Sequence, residues 1–338
     1  MSLAALEEPV TKIAYIKLHS TKSGILNGIL HRYCSNHDLK CFGRPMPEEP
    51  GTTATREDLK SDLVHLQELN ETVDIWSSHA NFEPDVFDQI IPGSVKISLL
   101  RNPWERIISH YTNSGKAKLK LMASSLLKNQ KLVDPCGPDG SKMSDSIPIP
   151  RLPLLDFVLL SEHYHRGLIM MRRRFGWSKD DLMYLQQRLT VKQSMEHILV
   201  PLKKYLSLPE GQMSIEARNF LHECIMDAED ILYKWAHEAF GMQWSSFTES
   251  EQQDIDKEEE EYDAALDKVA ECCTGSPSDG YCKFLSDENP EEVPEKRPAE
   301  ETNCSKLAFK ESPEELAAEA QPTAPEAVPQ AEAQPTAP

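Results

Sequence analysis

Residues 11–33 read TKIAYIKLHSTKSGILNGILHRY. The apolar run Ile13–Ile16 predicts a buried strand. Ile25, Leu26, Ile29, Leu30 and Tyr33 recur at helical spacing and predict a helix. Between them, Lys17 to Gly24 is rich in small, basic and hydroxyl residues. A strand that feeds a short loop into a helix N-terminus makes an anion site, because the first-turn N–H groups lack partners and the helix dipole favours negative charge. Lys17, Ser20, Thr21, Lys22 and Ser23 add side-chain donors. The run GxxxxGK[ST] of the common nucleotide loop is absent, so the loop suits a different phosphate ligand. Taken alone, it is read equally well as a βα turn with a solvated basic rim.

A second segment, SVKISLLRNPWERIISHY at 94–111, has the same grammar. Val95–Leu100 is apolar enough for a buried parallel strand. Asn102 suits an N-cap, Pro103 the first helical position, and Glu105 the capping-box position. Arg101 therefore falls at a strand's carboxyl end, with Ser109 on the next helix. Ligands of open α/β sheets bind at the carboxyl ends of strands. An Arg there forks onto a phosphate and a Ser adds a donor. Two such units predict a ligand with two anionic ends.

These residues carry a resemblance. Lys17-Leu-His19-Ser-Thr21-Lys-Ser23 resembles the 5′-phosphosulfate loop of the galactose-3-O-sulfotransferase family, which includes cerebroside sulfotransferase and typically reads Lys-Thr-His-Lys-Thr-Gly/Ala-Ser-Ser-Thr. Leu100-Arg101-Asn-Pro103, with Ser109 eight residues after the Arg, is similar to the family's 3′-phosphate motif. Ser78-His79-Ala-Asn-Phe82 is similar to its His-His-x-Arg-Phe segment. Asp156-Phe-Val-Leu-Leu-Ser161-Glu162-His-Tyr164 is similar to Asp-Leu-Val-Leu-Ile-Ser-Glu-Tyr. Arg172, Arg173, Trp177, Asp180 and Asp181 continue the match, and Asp230 through Phe240 resembles a late helix. The segments follow the family's order across residues 11 to about 248. Two positions depart from it: Ser20 stands where the family has a Lys, and Asn81 where it has an Arg.

The resemblance implies an α/β, P-loop-like three-layer sulfotransferase fold with a central, mostly parallel sheet and a helical second half. It implies transfer of a sulfuryl group from 3′-phosphoadenosine 5′-phosphosulfate to a carbohydrate hydroxyl, by default a galactose of a glycolipid or glycan, with no metal. His19 is then the general base, since a neutral imidazole titrates near working pH. Lys17 stabilises the leaving phosphosulfate oxygen, and Lys22 helps electrostatically. Lys17, Ser20, Thr21, Lys22, Ser23 and Gly24 cradle the 5′-phosphosulfate, and Arg101 and Ser109 hold the 3′-phosphate. His79 and Glu162, at two further strand ends, serve the acceptor. One or two of Arg172, Arg173 and Arg174 face the co-substrate, and the rest are solvated. Trp76, Trp104 and Trp177 read as packing residues. Two other classes stay open. One is a non-catalytic relative that binds nucleotide or glycan. The other is a P-loop kinase-like enzyme, which needs a GK[ST] run and a Mg²⁺-binding acid near the loop, neither of which is found.

The net charge of −19 over 338 residues is unevenly spread. Residues 249–338 hold 25 acidic and 7 basic residues, a balance of −18, and leave −1 for the first 248. A near-neutral body lacks the basic face that nucleic-acid binding wants. The expected organisation is an extension at 1–10, the sulfotransferase domain at 11–248, a charged helix and Cys-containing turn at 249–285, and a disordered Pro/Glu/Ala-rich acidic tail at 286–338, where AEAQPTAP occurs twice. The charged helix reads as a solvated face. The Pro- and Gly-rich stretch at about 124–150 is read either as a lid or as a simple insertion.

No apolar run approaches the roughly 20 residues of a membrane span, and the N-terminus lacks the pattern of a signal peptide. The resemblance points to the Golgi; the missing anchor leaves a soluble cytoplasmic form as the alternative. Cys34, Cys41, Cys136 and Cys224 are scattered, whereas Cys272, Cys273 and Cys282 are close enough to pair in an oxidising compartment. They lack a fourth ligand at zinc spacing.

Overall fold

The computed structural model describes residues 8–42, 53–113, 143–185 and 228–275, with 219, 281–282, 285 and 304–305 as isolated positions. Most of the 124–150 stretch and of the 286–338 tail lies outside the described residues.

Five strands form one sheet: β1 (Ile13–Lys17), β2 (Cys41–Phe42), β3 (Ile75–His79), β4 (Val95–Leu100) and β5 (Phe157–Leu160). Their order is β2-β3-β1-β4-β5, and every pair is parallel. β5 is a continuous buried apolar run, β1 is one from Ile13 to Ile16, and β4 is buried from Ile97 to Leu100, as expected of strands covered on both faces. The chain leaves β1 for the edge, returns through β2 and β3, and then crosses to β4 on the other side of β1. The winding therefore reverses around β1, and the carboxyl ends of β1, β3 and β4 share the crevice where open α/β sheets take ligands.

The connecting helices are α1 (Ser23–Asn36), α2 (Arg56–Leu69), α3 (Pro84–Ile90) and α4 (Pro103–Asn113). Asn102 caps α4, its side-chain oxygen accepting from the N–H groups of Trp104 at 3.0 Å and Glu105 at 3.3 Å. Thr55 and Asp58 form a reciprocal capping box at the start of α2. The second half adds α5 (Tyr164–Phe175), α6 (Ala228–Ser245) and α7 (Glu249–Gly275). α5 and α6 pack on β5, and α7 lies along α5. Gly167 permits the close approach. A Cβ there would stand 3.4 Å from Leu159 Cδ2 and 3.5 Å from Phe240 Cε2.

Two sequence expectations change here. The charged helix is not solvated all round: Ile255, Tyr262, Leu266 and Val269 of α7 are buried. Its Glu258, also buried, receives Arg172 at 2.9 Å and Arg173 at 2.8 Å. These two guanidiniums are thus spent on helix packing and do not reach the strand ends. A second buried pair, Arg106–Glu229 at 3.5 Å, joins α4 to α6. Trp76 and Trp177 are packing residues as read, with Trp177 stacked on Tyr33 at 3.9 Å between centroids.

The cysteines also pair more widely than expected. Disulfides join Cys34 to Cys41, Cys272 to Cys304, and Cys273 to Cys282. The first ties the end of α1 to β2 across only seven residues. Cys304, from the acidic tail, carried no signal in the sequence. The sulfurs of Cys273, Cys282 and Cys304 lie within 4.8 Å of one another, but all three are in disulfides and none is a thiolate ligand.

Removing one partner of a buried ion pair strands the other charge, at a cost of about 3–5 kcal/mol. Glu258→Ala is expected to lose about that much in urea unfolding, and Glu258→Gln less, because it keeps a hydrogen-bond acceptor. An unchanged midpoint in Glu258→Ala would mean that α7 does not depend on this contact.

Candidate active site

β1 delivers Lys17 to the rim of the sheet, and the chain turns through Leu18–Lys22 into α1. Ser20 and Lys22 both take left-handed backbone conformations, with φ of 61° and 65°. Non-glycine residues seldom adopt that region, and two so close together form the kind of turn that gathers N–H groups around an anion. The carbonyls of the turn are held from outside. Arg101 Nη1 donates to Ser20 O at 3.2 Å, and Ser161 Oγ donates to Thr21 O at 2.7 Å. Thr21 Oγ1 donates back to Leu18 O at 3.1 Å. The backbone N–H groups of Thr21, Ser23 and Gly24 have no hydrogen-bond partner among the described residues. At Gly24 an added Cβ would meet nothing within 4 Å, so a ligand has open access to the first turn.

Arg101 leaves β4 and lies largely buried between this turn and Glu105, 3.8 Å away. Burial lowers its pKa, while Glu105 and Glu162 pull it back up. The cation is desolvated at the mouth of the crevice, the state in which a phosphate gains most from it. Ser109 sits two turns along α4, partly exposed, without a hydrogen-bond partner among the described residues. Lys22 is turned to the end of β5: its ammonium donates to Ser161 O at 3.3 Å and lies 5.5 Å from the centre of the Tyr164 ring.

His19 and His79 meet. Their rings are stacked, with centroids 3.7 Å apart and planes within 4°. His79 Nδ1 lies 3.0 Å from Lys17 O, which the β1–β3 register places opposite it. Burial first, then His19 and Lys17, push the His79 pKa down to about 2. Behind them on α1, burial lowers His31 to about 4, helped by Lys17 and Arg32. Glu162, just past β5, accepts a hydrogen bond from Tyr233 of α6. Burial and that carboxylate raise the Tyr233 pKa.

The fold thus brings Lys17, His19, Ser20, Thr21, Lys22, Ser23, Gly24, His79, Arg101 and Glu162 to one end of the sheet, with Ser109 on the adjoining helix. Two contributors escaped sequence reasoning. Ser161 binds the loop to the end of β5, its hydroxyl hydrogen shared between Thr21 O at 2.7 Å and Leu100 O at 3.1 Å; its position at a strand end was the available signal. Tyr233 closes on Glu162 from 71 residues away, and nothing local marked it.

Comparison with known proteins finds similarity to one group of enzymes. The family model of galactose-3-O-sulfotransferase matches residues 2–135, which carry β1 to β4, the loop after β1 and α1 to α4. Mouse Galactose-3-O-sulfotransferase 2 is 24% identical over 319 residues, covering 84% of this chain and 75% of the relative. The chain is similar to the galactose-3-O-sulfotransferases. Bovine and human Galactose-3-O-sulfotransferase 3 are each 21% identical over 202 residues, covering 51% of this chain. It spans under half the length of those two, 47% and 46%. No solved structure matches. Glu162 and Tyr233 lie beyond the family-matched segment, yet Glu162 follows β5 at the same end of the sheet and Tyr233 meets it there.

The depressed histidines set a pH dependence. A histidine whose folded pKa lies below the ordinary 6.5 contributes full stability above about pH 6.5 and loses it as pH falls, because the unfolded chain binds the proton that the folded chain refuses. Stability is expected to fall from about pH 6.5 toward about 4, and His31→Gln should flatten that slope in thermal unfolding at pH 7.5, 6 and 5. An identical slope in parent and variant would contradict a neutral, half-buried His31.

Proposed function

We propose that this chain transfers a sulfuryl group from 3′-phosphoadenosine 5′-phosphosulfate to a carbohydrate hydroxyl, with galactose of a glycolipid or glycan as the acceptor class. One observation carries the reading. The desolvated Arg101 guanidinium at the end of β4 is joined to the anion-binding turn after β1, so two phosphate stations stand side by side. That spacing suits a nucleotide with phosphate-type groups on both its 3′ and 5′ positions. The open first turn at Gly24 and the available N–H groups of Thr21, Ser23 and Gly24 fit the 5′ group.

In this reading Thr21, Ser23 and Gly24 hold the 5′-phosphosulfate, with Ser20 shaping the turn. Arg101 and Ser109 hold the 3′-phosphate. His19 takes the proton of the attacking hydroxyl, and Lys17 neutralises charge building on the bridging oxygen. Lys22 acts from the β5 side. Glu162, oriented by Tyr233, accepts hydrogen bonds from sugar hydroxyls. Charge stabilisation comes from lysine, arginine and backbone donors, so no step calls on a metal.

The disulfides among the described residues support maturation in an oxidising compartment, which favours a Golgi-type lumen over the cytosol. Among the described residues no helix is long and apolar enough to cross a membrane. A binding-only relative is the second reading. It is favoured by Ser20 in the family's Lys position, together with the Lys22 ammonium drawn toward Ser161.

The test is transfer of [³⁵S]sulfate from the labelled donor to lactose and to galactosylceramide by the purified chain. Labelled galactoside is expected, with a loss of about 10²-fold or more in His19→Ala. Donor product binding without transfer to either acceptor would favour the binding-only reading. Full activity in His19→Ala would remove His19 from the mechanism.

A further inference from the structure

His19 and His79 reach each other from different elements. His19 is two residues past β1, and His79 is the last residue of β3. The parallel register sets Lys17 opposite His79 and so brings the His79 ring to the Lys17 carbonyl. A carbonyl oxygen only accepts, so Nδ1 of His79 carries the hydrogen and Nε2 the lone pair. This bond fixes both the tautomer and the ring plane of His79. The His19 ring then lies flat on that plane at 3.7 Å.

The contact has an electrostatic consequence. Two neutral imidazoles at this distance gain dispersion, whereas two imidazolium ions in a half-buried stack repel. Lys17 adds positive charge from β1. On α1, His31 is itself held neutral and Arg32 adds to the positive field there. The ion-paired group that follows β3 has Arg56 and Arg151 closed on Glu83, and Arg56 on Asp85, so its charges balance within it.

We propose that His79 is a positioning residue for sulfuryl transfer: anchored on the Lys17 backbone, it forms the platform that fixes the His19 ring for proton removal and makes the stacked pair a unit that takes one proton. The inference rests on the sulfotransferase reading. In the step it serves, the acceptor O–H bond breaks and its proton passes to His19. The acceptor oxygen bonds to sulfur, and the bond from sulfur to the bridging phosphate oxygen breaks. The nucleotide bisphosphate leaves, and His19 afterwards yields the proton to water. A base must keep one direction and stay unprotonated at working pH, and the platform serves both needs. Opening the stack to water would ease protonation of His19, since water solvates an imidazolium better than a neighbouring ring does.

The experiment is an NMR titration of the full chain labelled with ¹³C/¹⁵N-histidine, run on the parent, His19→Ala, His79→Ala and His79→Phe, beside the pH dependence of kcat for sulfuryl transfer. In the parent, His79 is expected to stay neutral in the Nδ1–H form between pH 5 and 8. His79→Ala should raise the His19 midpoint by about half a unit or more, move the acid limb of kcat with it, and lower kcat at least about tenfold while leaving the donor KM near the parent value. His79→Phe restores a flat, uncharged platform, so it should recover most of the lost rate and return the midpoint. The inference is overturned if His79 titrates like an exposed histidine, or if His79→Ala leaves midpoint and limb in place. It is also overturned if His79→Phe is as inactive as His19→Ala, which would make His79 itself the proton acceptor. A parent that neither binds nor turns over the donor would refute the sulfotransferase reading alone, because the titration reports on the stack without turnover.

Discussion

The hydrogen bond from Arg101 to the Ser20 carbonyl is the constraint on which the crevice depends. It joins the end of β4 to the turn after β1, across the point where the winding of the sheet reverses. Ser161 adds a second tie from β5 to Thr21 of the same turn. With Ser20 and Thr21 carbonyls held outward, the left-handed residues Ser20 and Lys22 are kept in a conformation they would not hold alone. The donors of the first turn of α1 are then set before a ligand arrives, which is where preorganised electrostatics gains over flexible charge.

Buried charge holds the helical half to the sheet. Arg106–Glu229 fixes α6 to α4, and Arg172, Arg173 and Glu258 fix α7 to α5. Such pairs are weak sources of net stability but punish misplacement, since a slipped helix leaves a bare charge inside. α6 in turn brings Tyr233 to Glu162. The Glu162 side of the crevice is therefore governed by helices whose placement is set by buried ion pairs.

Much of the rim was legible because strand-loop-helix units announce themselves locally. The apolar runs gave β1, β4 and β5, and the Asn102 cap marked the start of α4 within the same few residues. What the sequence pattern could not supply was partnership at a distance. The Arg172–Arg174 run has a last-turn, solvent-facing look, and its pairing with Glu258 is 86 residues away. The acidic α7 reads as soluble because its apolar stripe is diluted by surrounding carboxylates, although Tyr262 and Val269 are fully buried. Cys304 sits in a polar tail and pairs only through tertiary placement. The stack of His19 on His79 depends on the β1–β3 register, which no local pattern encodes.

The central claim is that the crevice recognises a nucleotide through two phosphate stations at once. Calorimetric titration of the full chain with 3′-phosphoadenosine 5′-phosphate tests it most directly, beside ATP, adenosine 5′-phosphate and the Arg101→Ala variant. The account predicts micromolar binding of the bisphosphate, much weaker binding of the other two nucleotides, and a loss of about tenfold to a hundredfold in Arg101→Ala, as expected for a charge-assisted contact. Equal binding of ATP and the bisphosphate, or an Arg101→Ala variant that binds as the parent does, would contradict it.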